Sequence, residues 1–404
     1  MRRFIVLVLD SFGIGEMDDV QEVRPQDVGA NTYSSVLKKN PNLRIPNLEK
    51  LGIANAAGVE IGSVKFSKEA VYGKANLMHF WCDTFYGHQE LMGTYPKKPK
   101  TEPFYEAIDE VEKVLKKSGY SVKRFGSPRE ILIVNECATI GDNLEADLGQ
   151  VYNITGVLDF ISYEKLLEIG KIVRKVVKVP RVITFGGKNV TIEDIKNAYE
   201  CRDGLFGGIN APKSGVYRNG YQVQHMGYGI DSEVQLPKIL DGVTKTIFIG
   251  KVADIVENPH GKSIFCVDTG EVMDKLLKEI KDNECAFICA NVQETDLAGH
   301  QEDATRYGNR LEVVDKKLKK VMELLDERDI LIVTADHGND PNIGHSQHTR
   351  EKVPVLIYKK GLSGRDIGER KTLSDIGQSV AEYFGKVLPD NGESFLEKLY
   401  YYRK

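Results

Sequence analysis

The sequence predicts an α/β fold: a mostly parallel sheet flanked by helices, interrupted by a smaller inserted α/β domain. Three observations predict it. Continuous apolar runs recur at residues 4–9, 246–249, 286–290, 330–334 and 355–358, without the alternation of a half-exposed strand, as expected of strands covered on both faces. Between two of them, residues 303–328 carry Leu311, Val314, Leu318, Val321 and Leu324 at three- and four-residue spacing, the pattern of an amphipathic helix. The middle of the chain has strand candidates of its own at residues 131–134 and 182–185 and a helix candidate at 163–176.

Strand, helix, strand in succession implies parallel crossovers, and ligands of such sheets gather at the carboxyl ends of the strands. The middle segment is entered through the breaker-rich residues 94–100 and left through the glycine-rich residues 204–220. The expected division is therefore a discontinuous core, residues 1–99 and 226–404, with an inserted domain at 100–225. A chain of 404 residues exceeds what one core usually holds, which agrees with two units.

Composition narrows the function. Hydrophobic residues are 41% and charged residues 28%, with a net charge of -4, so nucleic acid is not the expected partner. The apolar run after Met1-Arg2-Arg3 stops at Asp10, too short for an export signal, and no other run is long enough to span a membrane. Six cysteines without a CxxC pair read as reduced thiols of a cytoplasmic protein.

The chemistry lies at the strand ends. Asp10 follows the first apolar run; Asp336-His337-Gly338 follows the run at 330–334, where an adjacent carboxylate and imidazole reach one ion if the chain turns sharply at the glycine. Asp296 and His300 are four apart, which puts both on one face of a helix, and Gly299 between them permits close backbone approach. His348 arrives in a loop before the last run. Five of the eight histidines, His88, His300, His337, His345 and His348, fall in these few motifs.

Carboxylate and imidazole ligands without cysteine suit Mn²⁺, Zn²⁺, Fe²⁺ or Mg²⁺, with Mn²⁺ the expected ion. Two such ions about 3.5–4 Å apart clamp a phosphoryl group. The expected nucleophile is Thr84, in Asp83-Thr84-Phe85, whose hydroxyl needs activation by a metal. Asp83 and Thr84 are also favoured at a helix N-terminus, a position that itself favours phosphate. Gly13 and Gly15 read as turn residues rather than a phosphate loop, since the Walker lysine is absent.

These residues resemble a family. Asp10-Ser-Phe-Gly-Ile-Gly15, Asp83-Thr-x-x-Gly-His88, Gly250-Lys-Val-Ala-Asp-Ile255, Asp296 to His300, and Thr334-Ala-Asp-His-Gly-x-Asp340 with His348-Thr-Arg-Glu351 are similar, in order, to the prokaryotic phosphopentomutases of the alkaline phosphatase superfamily. The resemblance implies an alkaline-phosphatase-like core with the insertion as a cap that closes over the sugar. It implies a phosphothreonine at Thr84, one metal held by Asp10, Asp336 and His337, and a second held by Asp296, His300 and His348, with manganese as the usual pair. Lys251 is similar to a lysine that grips phosphate, and Asp147 to the family's sugar-binding acid. The implied reaction interconverts ribose 1-phosphate and ribose 5-phosphate, with a sugar bisphosphate as intermediate and activator.

The chain departs from the family at Trp81-Cys82, at Gln89, and where an arginine-rich stretch is reduced to Arg218. A mutase needs basic groups opposite its metals, and Lys251, Arg218 and Arg350 are the candidates. The alternatives are a metal-dependent phosphohydrolase, or a mutase for another small phosphorylated substrate, on the same core, and a silent binding protein that keeps its metals for stability.

Overall fold

The computed structural model describes residues 2–80, 82–145 and 148–400. It divides into two compact units, residues 1–96 with 231–404, and residues 97–230.

The first unit is built on an eight-stranded sheet. Numbered within this sheet, its strands are β1 (Arg2–Leu9), β2 (Val71–Ala75), β3 (Lys245–Gly250), β4 (Lys262–Ile264), β5 (Cys285–Val292), β6 (Ile330–Thr334), β7 (Val353–Tyr358) and β8 (Arg365–Arg370). The spatial order is β4-β3-β5-β1-β6-β7-β2-β8. Neighbours are parallel throughout except on the two sides of β7, which runs against the rest.

The central strands β1 and β6 are buried on both faces from Phe4 to Leu9 and from Ile330 to Thr334, which explains their unbroken apolar runs. Helices Thr269–Asp282 and Ala304–Leu324 cover the sheet with Val272, Leu276, Leu311, Val314, Leu318 and Val321, all fully buried in one continuous core. The mostly parallel, helix-flanked sheet expected from the sequence is present.

The short strands β2, β4 and β8 carry no apolar run: Val-Tyr-Gly-Lys-Ala, Lys-Ser-Ile and Arg-Asp-Ile-Gly-Glu-Arg. β4 and β8 are the two edges, where charge blunts unwanted pairing.

The second unit has its own sheet, with strands ordered Gln222–Gly227, Arg181–Gly187, Val151–Val157, Ala138–Asn143, Ile131–Val134 and Val122–Phe125. Helices Phe104–Lys117 and Tyr163–Val176 pack on it through Phe104, Ile108, Val111, Leu166, Ile169 and Val173. No helix among the described residues is long and apolar enough to cross a membrane. All six cysteines are free; Cys82, Cys137 and Cys289 are buried, and Cys285 is exposed at the start of β5.

Candidate active site

The parallel strands deliver their functional residues to one edge. Asp10 directly follows β1, and Lys251 directly follows β3. Asp336 and His337 lie just past β6, and Asp296 and His300 lie on the helix Glu294–His300 that follows β5. His348 precedes a strand rather than following one, yet reaches the same edge because β7 is antiparallel. Among the described residues, two groups have ligand atoms all within 4.8 Å of one another: Asp10, Asp336 and His337, and Asp296, His300 and His348.

In the first group all three side chains are fully buried. The chain leaves Asp10 through Ser11 at φ 67, a left-handed turn that a non-glycine residue adopts at a cost. That turn lets the Ser11 amide donate to Asp336 Oδ1 (3.0 Å). Among the described residues, Asp10 Oδ1 and Asp336 Oδ2 have no hydrogen-bond partner. His337 donates Nδ1–H to the Gly338 carbonyl (3.0 Å), which leaves Nε2 as a bare acceptor facing Asp336 Oδ2 (3.3 Å) and Asp10 Oδ1 (3.6 Å).

The second group shows the same design. His300 Nδ1 donates to the Ser346 carbonyl and His348 Nδ1 to the Cys82 carbonyl, both at 2.7 Å. Their Nε2 atoms lie 2.9 Å apart, and Asp296 oxygens lie 3.4 Å from His300 Nε2 and 3.1 Å from His348 Nε2. Three acceptors converging on one point repel unless a cation sits among them. Both groups therefore fit a divalent ion bound by oxygen and nitrogen.

Thr84 lies between the groups. It opens the helix Thr84–Leu91, whose N-cap Asp83 accepts from the amides of Phe85 and Tyr86, so the capping and nucleophile readings of this motif coexist. Thr84 Oγ1 is 2.8 Å from His337 Nε2 and accepts from Lys251 Nζ at 2.9 Å. Gly87 lets this helix press against the β6 end: a Cβ there would fall 2.7 Å from the Asp336 carbonyl oxygen. Lys251 Nζ also reaches Asp296 Oδ2 (3.1 Å) and Asp10 Oδ2 (3.2 Å), so one ammonium touches both groups and the hydroxyl. Gly250, at φ 78, makes the turn from β3 that aims it.

The charges follow from this geometry. Burial, reinforced by the charge of Asp336, holds the Asp10 carboxyl well above its ordinary value. Burial would raise Asp336 too, but the adjoining His337 and His88 hold it below. Burial would raise Asp296, but the imidazoles of His300 and His348 beside it outweigh that and hold its carboxyl well below the usual range; Asp296 in turn raises His300. Burial pushes the His337 imidazole down to about 4, so it is neutral at physiological pH. Burial opposes the Lys251 charge, yet Asp10, Asp296 and Asp336 raise its pKa above the ordinary value.

The remaining candidates are placed differently. Arg350, expected among the phosphate-binding groups, is a correction: its side chain is 5% exposed, Nε and Nη2 pair with Asp19 at 2.7 Å each, and Nη1 donates to the His79 carbonyl at 3.0 Å. Nη2 also donates to the Leu77 carbonyl at 3.4 Å, so four of its five N–H donors are engaged by the protein itself. Arg218 is exposed on the second unit, where it lines a cavity of about 340 Å³ with Lys213 and Asn219. Asp147 lies outside the described residues. Gly338, read as the residue that permits a sharp turn, has no left-handed φ; it is needed because a Cβ would fall 2.4 Å from Glu351 Oε1.

Two site residues escaped the sequence reading as contributors. His88 accepts from Asn291 Nδ2 at Nε2 (3.1 Å), and its Nδ1 lies 3.0 Å from the Thr84 carbonyl and 3.4 Å from Asp336 Oδ2, tying the Thr84 helix to a ligand carboxylate. Asn339 donates to Asp296 Oδ1 (3.2 Å). The four-residue spacing of Thr84 and His88 on one helix was the available signal.

Comparison with known proteins identifies the family. The metalloenzyme superfamily model matches residues 2–387. The phosphopentomutases of two Desulfitobacterium hafniense strains, DCB-2 and Y51, are each 32% identical to this chain, over 99% of it and 100% of their own length. Among solved structures, a Leishmania mexicana phosphoglycerate mutase is 12% identical over 97% of each chain with a TM-score of 0.47. The chain thus belongs to the phosphopentomutase family of the metalloenzyme superfamily: a metal-binding isomerase of the phosphomutase class.

Proposed function

We propose that this protein interconverts ribose 1-phosphate and ribose 5-phosphate through a phosphorylated Thr84, with two Mn²⁺ ions and a sugar bisphosphate as activator. Asp10, Asp336 and His337 would hold one ion and Asp296, His300 and His348 the other; bound there, the ions would supply positive charge to the transferring phosphoryl group. The observation that carries the reading is the setting of Thr84 Oγ1, between the acceptor His337 Nε2 at 2.8 Å and the donor Lys251 Nζ at 2.9 Å.

In the proposed cycle the bond between phosphorus and Thr84 Oγ1 breaks as a bond to a sugar hydroxyl oxygen forms. Oγ1 leaves bearing negative charge, which the Lys251 ammonium stabilises, and the proton given up by the sugar hydroxyl ends on Oγ1, so the two oxygens exchange a phosphoryl group for a proton. The bisphosphate so formed turns over, and its other phosphoryl group returns to Oγ1. Arg218 and Asp147 belong to the inserted segment, whose part in this reading is to recognise the sugar.

The test uses full-length, Mn²⁺-loaded protein primed with ribose 1,5-bisphosphate. Intact mass and peptide mapping are expected to show one phosphate, on Thr84, and ribose 1-phosphate is expected to become ribose 5-phosphate without release of inorganic phosphate. An active enzyme with Thr84 never phosphorylated, or one that liberates phosphate in step with substrate loss, would sink the reading.

A further inference from the structure

Glu351 is fully buried and touches none of the ligand atoms, yet three separate chain segments converge on its carboxylate. Oε2 accepts from the amides of Gly15 (3.1 Å) and Thr32 (2.9 Å). Oε1 accepts from the hydroxyls of Thr32 and Thr349, both at 2.7 Å. Those hydroxyls extend the web, because Thr32 Oγ1 accepts from the Asn339 amide and Thr349 Oγ1 from the Asp340 amide, each at 3.1 Å. Backbone presses on the carboxylate from two sides: a Cβ on Gly13 would lie 2.3 Å from Oε2, and one on Gly338 2.4 Å from Oε1.

The segments gathered in this way are the ones that carry the site. Gly13 and Gly15 end the turn begun at Asp10; Gly338, Asn339 and Asp340 continue from Asp336 and His337; Thr349 is next to His348. A pair of backbone bonds between Gly338 and Thr349, at 2.8 and 3.1 Å, ties the last two together.

We propose that Glu351 is a positioning residue that sets the loops of Asp10, of Asp336-His337 and of His348 in mutual register, so that both ion-binding groups form together. The inference rests on the two-metal reading and deepens it. Groups that orient metal ligands typically contribute about 10–100-fold in affinity.

Glutamine separates this role from mere charge. An amide oxygen at the Oε2 position keeps both backbone donors. The amide nitrogen at the Oε1 position has two hydrogens to donate to the two threonine hydroxyls, whose own protons can rotate away. Burial already pushes the Glu351 carboxyl up to about 7, so a neutral side chain of the same shape is a modest change.

Full-length wild type, Glu351→Gln, Glu351→Ala and Thr349→Val are titrated with Mn²⁺, following bound ion by equilibrium dialysis and the coupled Mn²⁺ pair by electron paramagnetic resonance, below each protein's unfolding midpoint. Wild type and Glu351→Gln are expected to bind two ions with closely similar affinity and to show the coupled signal. Glu351→Ala is expected to lose about tenfold or more in affinity at one or both sites along with the coupled signal, and Thr349→Val to lose less. Should Glu351→Ala fail to fold, Thr349→Val decides alone. Two ions held as tightly in the folded alanine or valine variant as in wild type, or glutamine as poor as alanine, would overturn the inference while leaving the two-metal reading intact. A wild type that binds fewer than two ions overturns both.

Discussion

Thr84 is held by partners of opposite character. A neutral imidazole whose other nitrogen is committed to a carbonyl can only accept from the hydroxyl, whereas a lysine among three carboxylates can only donate to it. Arg350 has the opposite fate, since its cationic head is consumed by Asp19 and backbone carbonyls. Arg350→Met is therefore expected to cost about 1–3 kcal/mol of stability by stranding buried acceptors, and to leave KM for the sugar phosphate unchanged once the folded fraction is accounted for. Thermal unfolding and steady-state kinetics check this; a tenfold rise in KM in the folded variant would restore Arg350 to the substrate. The sequence placed arginine correctly beside a site motif, but its orientation depends on Asp19, more than three hundred residues earlier and unremarkable in the chain. Asp10, Asp296, Asp336 and His337 were legible because each follows a strand end closely, His300 through its four-residue spacing from Asp296, His348 because it lies in a loop before a strand, and Thr84 through its motif with Asp83. His88, Asn339 and Glu351 were not, because their roles are contacts between segments rather than positions within one.

At the scale of elements, the helix Thr84–Leu91 depends on a missing side chain. Alanine favours a helix interior over glycine by about 1 kcal/mol, so Gly87→Ala would stabilise an open helix. Here the new methyl would meet the Asp336 carbonyl oxygen at 2.7 Å and the Asp336 Cβ at 2.9 Å, atoms that a rotamer change cannot move. Gly87→Ala is expected to destabilise by about 1–3 kcal/mol and to weaken ion binding at the Asp10, Asp336 and His337 group, measured by denaturant unfolding and Mn²⁺ titration; an unchanged ion affinity would mean the helix yields freely. Strands were legible where both faces are buried, as in β1, β3, β5 and β6. The short strands β2, β4 and β8 were not, since a few polar residues carry no periodicity to detect. The run at 355–358 was recognised as a strand, but its reversed direction follows from the helix-free connection between β6 and β7, which apolar pattern alone does not report.

At the scale of the molecule, each unit has a hydrophobic core of its own, and in the second unit a buried carboxyl carries a pH dependence. Burial pushes Asp142 from its ordinary 3.8 up to about 7, against the pull of the Phe104 and Gly207 amides. The folded second unit thus holds a proton that the unfolded chain releases. The contribution of this one group to stability is greatest below about pH 4, declines as pH rises toward 7, and changes no further above that. Hydrogen exchange of the strand Ala138–Asn143 in the full chain is expected to speed up between pH 4.5 and 7.5, after correction for intrinsic rates, and Asp142→Asn is expected to abolish that extra acceleration. A variant with the same pH profile as wild type would assign it to another group.

The placement of β1 bears on how the molecule comes into being. Strand β1 lies between β5 and β6, so one of its hydrogen-bonding partners does not exist until residue 292 has emerged and the other until residue 334. Residues 97–230 form an uninterrupted stretch with a core of their own and are complete long before. While residues 97–230 emerge, β1, with Asp10 at its end, has neither of its neighbours. The two candidate groups span the chain from Asp10 to His348, so a truncation between residue 231 and His348 is expected to leave the inserted segment whole and the groups incomplete.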